Sequence, residues 1–306
     1  MNLLPRCLKI SFWILIGSCL ATGITAADKK LILIAGKPSH PPLMHEFRAG
    51  CMLLAECLKD VEGLTVEVHT MGWVDDESTF DDADAVVIFA DGGKKHPALQ
   101  GNNLATLQKL IDRGVGFGAM HYGVEVPPGE ANEEFQAWIG GHYEHLFSCN
   151  PIWAPRFDEL PNHPTTNGVL PFSISDEWYF NMRFLDGIDG NQSYEKKGLS
   201  FTPILVAKPS DDVRDGPYVY PKGPYDHLIA NSGRNEAMLW VVERADGGRG
   251  FGFTGGHFHL NWANDSFRKI VLNTLNWVAQ NNVPAEGIES TVTKDQLFLN
   301  LDKKGR

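Results

Sequence analysis

The first strand signal in the chain is KLILIAG (30–36), an unbroken apolar run closed by glycine. A strand with one face in solvent alternates between apolar and polar residues. This one does not, so it predicts a parallel strand covered on both sides. Downstream, Phe47, Cys51, Leu54, Leu58 and Val61 recur at three- and four-residue spacing before Gly63, which predicts a helix with one buried stripe and a stop. LTVEVHT (64–70) and DAVVIFAD (84–91) read as the next two strands. NLATLQKLIDRG (103–114) reads as a second amphipathic helix ended by Gly114, and VGFGAM (115–120) as a fourth strand.

After Trp138 the pattern loosens. Residues 141–235 are rich in Pro, Gly, Asn and aromatics, with short strand candidates at PFSI (171–174) and PILVAK (203–208). Such segments build loops over a sheet edge, and loops carry function. Regularity returns in EAMLWVVER (236–244) and RGFGFTGG (249–256), with ADGG between them as a hairpin turn. DSFRKIVLNTLNWVAQ (265–280) predicts a helix with Asp265 as N-cap. The order of elements predicts an α/β fold of flavodoxin-like type, with a mostly parallel sheet and helices on both faces. The chain divides into residues 1–27, a domain over 28–283 and a C-terminal tail over 284–306 that reads as a strap.

Composition sharpens this picture at three points. A chain of 306 residues with 43% hydrophobic content buries one large core, and its net charge of −11, without a Lys/Arg cluster, excludes a nucleic-acid partner. Arg6 and Lys9 precede the apolar run FWILIG, and ATGITAA follows, the layout of a secretory signal peptide cleaved near Ala26 or Ala27. That run is too short to span a bilayer, so the expectation is an exported protein, periplasmic or extracellular, with no transmembrane span once the signal is removed. A variant reading makes IGSC (16–19) a lipoprotein site with Cys19 lipidated. Behind the signal, Cys51, Cys57 and Cys149 form no disulfide framework and read as buried apolar residues.

In an open parallel sheet, ligands bind where the strands' C-terminal ends meet their loops. Here those ends carry Lys37, Ser39, His40, His45 and Glu46 after the first strand, and Asp91 and His96 after the third. His121, Tyr122 and Glu125 follow the fourth, and His257 and His259 the last. Gly118 and Gly123 flank His121 and permit a tight corner. HYEH (142–145) sets two histidines at i and i+3, which share a face if the segment is helical, with Glu144 between them. HFH (257–259) puts both rings on one face if the strand continues. DEW (176–178) with Arg183 is either a salt-bridged loop or a sugar clamp, and His69 and His227 read as ordinary surface residues.

KLILIAGKPSHPPLMHEFRAG, VVIFADGGKKHP, GVGFGAMHYGVEVP, WIGGHYEH, HPTTNGVLPFSISDEWYFNMRF and GFGFTGGHFHLNWANDSFRKIVLN together resemble the ThuA-like family, of trehalose-utilisation type. The resemblance covers roughly residues 29–283 and implies a fold similar to class I glutamine amidotransferases, with a role in sugar catabolism, especially of oxidised keto-sugars. That superfamily places a nucleophilic Cys at the elbow which His121 occupies here, and a base His where His257 stands. Without the thiol, thioester chemistry is closed and glutaminase activity is not expected.

The expectation is an exported carbohydrate-active protein whose partner is a small-molecule sugar or glycoside. A divalent metal such as Zn would be held by imidazoles drawn from His121, His142, His145, His257 and His259, plus a carboxylate. His121, His257, Glu125 and Glu177 are the catalytic candidates. His45, Asp91, Tyr122, Trp178, Arg183 and Trp262 are the substrate-binding candidates, the aromatics stacking on sugar faces. Hydrolysis, elimination and isomerisation stay open as reactions. The alternative is a sugar-binding module without turnover.

Overall fold

The structure is a computed structural model that describes residues 28–305; the expected signal peptide and Cys19 lie outside them. Eight strands make the central sheet: β1 (Lys29–Ala35), β2 (Leu64–His69), β3 (Ala85–Phe89), β4 (Gly116–Met120), β5 (Tyr194–Lys196), β6 (Leu199–Ala207), β7 (Glu236–Arg244) and β8 (Arg249–Phe253). Their order is β5-β6-β7-β8-β4-β3-β1-β2. The β2-β1-β3-β4-β8 portion is parallel throughout and repeats the flavodoxin-like order, so its ligand edge is where the strands end. β5, β6 and β7 extend the sheet by antiparallel pairing beyond β8.

The sequence pattern explains which strands are central. β3 and β4 are buried at every residue, as all-apolar runs require between two helical layers. β2 departs from the expectation of full burial because it is an edge strand. Its Glu67 and His69 face solvent and pair with each other at 2.9 Å. Four helices cover the faces: α1 (Phe47–Leu58), α2 (Asn103–Asp112), α3 (Asn132–Ile139) and α4 (Asp265–Val278). Leu54 and Leu58 of α1 share one core with Phe267, Ile270 and Leu275 of α4. Leu107 and Ile111 of α2 share the other with Phe135, Trp138 and Ile139 of α3.

Three differences from the sequence pattern have local causes. β6 begins four residues before PILVAK, because Pro203, which by sequence marks a strand start, sits at a register shift inside a longer strand. The N-cap of α4 is Asn264, whose side-chain oxygen accepts from the Phe267 N–H, and Asp265 is already the first helical residue. HYEH is not a helix. Gly140, at φ +85°, ends α3, and Gly141–His142 pair antiparallel with Arg183–Phe184.

The 141–235 region adds further two-residue strand pairs, Ile152–Trp153 with Asp176–Glu177 and Arg156–Phe157 with Phe172–Ser173. The tail runs through a short helix α5 (Lys294–Leu297), buries Ile288 and Leu297, and comes to lie against the loop after β1. Among the described residues, no helix is long and apolar enough to cross a membrane.

Candidate metal centre

Four buried side chains converge at the strand ends: His45 after β1, His121 after β4, His257 after β8, and Glu177 from the Asp176–Glu177 pair. His45 Nε2 lies 3.0 Å from His121 Nε2 and 3.0 Å from His257 Nδ1, and the latter two are 3.3 Å apart. Glu177 Oε2 lies 2.5 Å from His257 Nδ1 and 3.9 Å from His121 Nε2.

Hydrogen bonds on the far side of two rings fix their tautomers. His121 Nδ1–H donates to the Thr254 carbonyl at 2.9 Å, and His45 Nδ1–H donates to Asp91 Oδ1 at 3.0 Å. In neutral imidazoles both Nε2 atoms then carry lone pairs. The 3.0 Å contact between them sets two lone pairs face to face. Protonation does not relieve it: burial holds His121 and His45 well below the ordinary histidine range, and the neighbouring imidazoles push the same way.

A divalent cation held between them would relieve it. Metal–nitrogen bonds of about 2.0–2.1 Å in tetrahedral geometry put ligand nitrogens about 3.3 Å apart, close to the separations found here. The carboxylate–histidine link from Asp91 to His45, and the carbonyl–histidine link from Thr254 to His121, are the outer hydrogen bonds that orient metal-ligating imidazoles. The His257–Glu177 contact, at 2.5 Å, is shorter than two ligands of one ion would keep.

Backbone conformation brings these rings together. His40, His45 and His121 all adopt left-handed φ, +59°, +46° and +52°, where non-glycine residues are uncommon and strain gathers at functional sites. The corner after β4 is therefore made by His121 itself. Gly118 serves another purpose: a Cβ there would meet the Phe251 ring at 2.1 Å, so it lets β4 pack against β8. His45 is held by its own N–H, which donates to the His257 carbonyl at 3.0 Å, and His40 stacks on its ring with centroids 3.6 Å apart. Buried Asp176 accepts N–H bonds from Glu177, Gly256 and His257, which shapes the loop carrying His257.

A cavity of about 510 Å³ opens over the cluster. Buried His45, Glu177 and Tyr179 line it, with Tyr122, Glu125 and Pro127 and with Asn150, His145 and Tyr220. The Tyr179 hydroxyl donates into the centre, 3.1 Å from His121 Nε2. Burial, with the Glu177 charge adding to it, pushes Glu125 up to about 7.

The candidates from sequence separate clearly. His121, His257, Glu177 and His45 meet in the cluster, while Glu125 and Tyr122 line the cavity. Asp91 orients His45 from behind instead of standing on the cavity wall. His142 and His259 do not reach the centre. His142 turns to the Asn132 amide at 3.0 Å, and His259 begins a 3-10 turn, so strand alternation fails and its Nε2–H donates to Leu297 O. His145 lies on the cavity rim, apart from the cluster.

Trp178 and Trp262 are wholly buried core residues with no face to offer a sugar. Arg183 pairs with Glu144 at 2.8 Å and lies over the Phe147 ring, away from the cavity lining. His96 pins the corner through the Gly123 carbonyl at 2.8 Å, and His227 donates to Phe147 O, more engaged than a plain surface residue. Sequence reasoning missed Asn150, Thr254 and Tyr220. Asn150 and Tyr220 stand at no predicted strand end, and Thr254, at the end of RGFGFTGG, acts through its backbone carbonyl, which residue type does not signal.

No described cysteine reaches the cavity lining. Cys51 and Cys149 are buried, the latter packed with Phe180, Tyr218 and Leu228, and Cys57 is half-buried. Burial raises all three thiols, against any thiolate chemistry.

The profile of the ThuA family, described as trehalose utilisation, matches residues 44–278. No curated protein matches the chain by sequence. Among solved structures, the chain resembles a ThuA-like protein of Bacteroides uniformis at TM-score 0.55 and 12% identity, covering 86% of this chain and 98% of that one. A ThuA-like protein of Parabacteroides merdae gives TM-score 0.52 at 15% identity, over 88% and 94% of the two chains. At these identities the likeness is one of fold.

Proposed function

This chain belongs to the ThuA family of trehalose utilisation, and we propose that it is an exported, metal-dependent enzyme acting on a sugar or glycoside in the cavity over the His45–His121–His257–Glu177 cluster. The observation that carries the reading is the facing of unprotonated Nε2 atoms at 3.0 Å in a fully buried site, which a divalent cation such as zinc resolves. When bound, the ion supplies Lewis acidity toward a substrate carbonyl or hydroxyl oxygen.

The chain's own groups do the rest. Glu125, on the adjoining wall with its proton affinity near neutral pH, takes or returns a proton on the sugar. Tyr179 and Tyr122 offer hydroxyls to the ring, and Glu177, as a ligand, is removed from the base role. Keto-sugar isomerisation, elimination and hydrolysis all need this pairing of an electrophile with a base. Export rests on the N-terminal charge and apolar pattern alone.

The test is elemental analysis of the purified chain, then assay of stripped and reloaded protein against 3-keto-glycosides and free keto-sugars, with products read by mass. About one equivalent of bound metal and activity that follows it are expected. Full turnover by metal-free protein would overturn the metal, and saturable sugar binding without product would leave a binding module instead.

A further inference from the structure

Tyr220 is 71% exposed, yet it belongs to the cavity wall. Its ring centroid lies 6.0 Å from that of His145 with the planes 33° apart, so the two form one tilted aromatic wall, too close to admit a ring between them. Both rings line the same cavity as His45 and Glu177 of the cluster.

Its backbone is tied to the centre. Val219 N–H donates to the Asn150 carbonyl and Tyr220 N–H to the Asn150 side-chain oxygen, both at 3.2 Å. The Asn150 amide in turn donates to Glu177 Oε1 at 2.7 Å. One asparagine thus fixes the distance between the aromatic wall and a cluster ligand.

Cavity size says what fits between them. A single pyranose of about twelve heavy atoms fills on the order of 180 Å³, roughly a third of the space. One ring over the cluster leaves room for another, and the wall beyond it has the flat amphipathic face that sugars stack on.

Resting on the sugar reading above, we propose that Tyr220, with His145 beside it, is a distal subsite that takes the second ring of a two-ring glycoside while the first lies over His45 and Glu177. Asn150 is a positioning residue that holds the spacing between the two subsites.

The experiment is calorimetric titration of the full metal-loaded chain with α,α-trehalose and, separately, with glucose. Wild type is expected to bind the disaccharide at least about tenfold more tightly. Tyr220→Ala should remove about tenfold of the disaccharide affinity and leave glucose within about twofold. Tyr220→Trp, which keeps an aromatic face, should retain the preference. Because Tyr220 is exposed, its variants fold. If both sugars bind and Tyr220→Ala leaves the disaccharide affinity unchanged, or if wild type does not prefer the disaccharide, the subsite is overturned and the sugar reading stands. If wild type binds neither sugar, the sugar reading falls and takes the subsite with it.

Discussion

At the scale of single residues, the site is a set of proton affinities displaced by burial. Glu125 shows this most simply: its carboxyl, ordinarily near 4.5, is pushed up to about 7 by burial first and by Glu177 second. A raised carboxyl pKa means the folded chain keeps a proton that the unfolded chain releases. Its contribution to stability is complete below about pH 4.5 and is lost as pH rises through about 7. In metal-stripped protein, Glu125→Gln should therefore raise the melting temperature by a few degrees over wild type at pH 8 and leave it unchanged at pH 4. Equal shifts at both pH values would refute the assignment. In the loaded enzyme the same substitution should abolish the rise of kcat/KM through neutral pH. Residue chemistry was legible where strand ends were: His121 and His257 were nameable there, and so was His45, though as a substrate contact, while Glu177 was named from the DEW loop motif. His142 was named for spacing alone, and His259 for spacing at the end of the last strand. Spacing sets ring direction only once the local backbone is known, and one lies in a two-residue strand and the other at the start of a 3-10 turn.

Elements place these residues through close backbone approach. Gly92, in the loop after β3, sits where a Cβ would come 2.1 Å from the Tyr122 carbonyl and 2.8 Å from that of Glu125. Both obstacles are backbone, so neither yields as a side-chain tip would. Gly92→Ala should destabilise the fold by about 1–3 kcal/mol in urea denaturation and displace the His121–Val124 turn, weakening metal uptake at the same time. Wild-type stability and metal affinity in this variant would show that the loops do not press together. The five parallel strands and three long helices were legible because burial writes apolar runs and helical stripes into the sequence. Most of the 141–235 region was not: outside β5 and β6 its strands are two residues long, shorter than any period, and they are specified by distant partners such as Asp176 under the His257 loop.

For the whole molecule, the C-terminal end of the described chain returns to the loop after β1, beside the site. Asp302 N–H donates to Glu46 Oε2 at 3.0 Å, and Lys304 Nζ donates to the Met44 and His45 carbonyls at 2.5 and 2.9 Å. These bonds join residues some 260 positions apart to the loop that holds His45 in its left-handed conformation, at φ +46°. Such a conformation costs of order 1–3 kcal/mol and persists where surrounding contacts over-determine it. The tail is one of those contacts, and it reaches the His45 backbone without touching an imidazole of the cluster. Lys304→Met keeps the aliphatic stem and removes the donors. It should lower metal affinity about tenfold, in the range seen when groups behind a ligand are lost. Global stability should change little, because the core beneath is unaltered. A chain ending at Asn300 should behave in the same way, with no further loss when the two changes are compared. Competition with a chromophoric chelator measures the affinity and urea unfolding the stability. If affinity is unchanged in both variants, the strap is only a cover over the sheet edge; if affinity and stability fall together, it is part of the core and not a latch on His45.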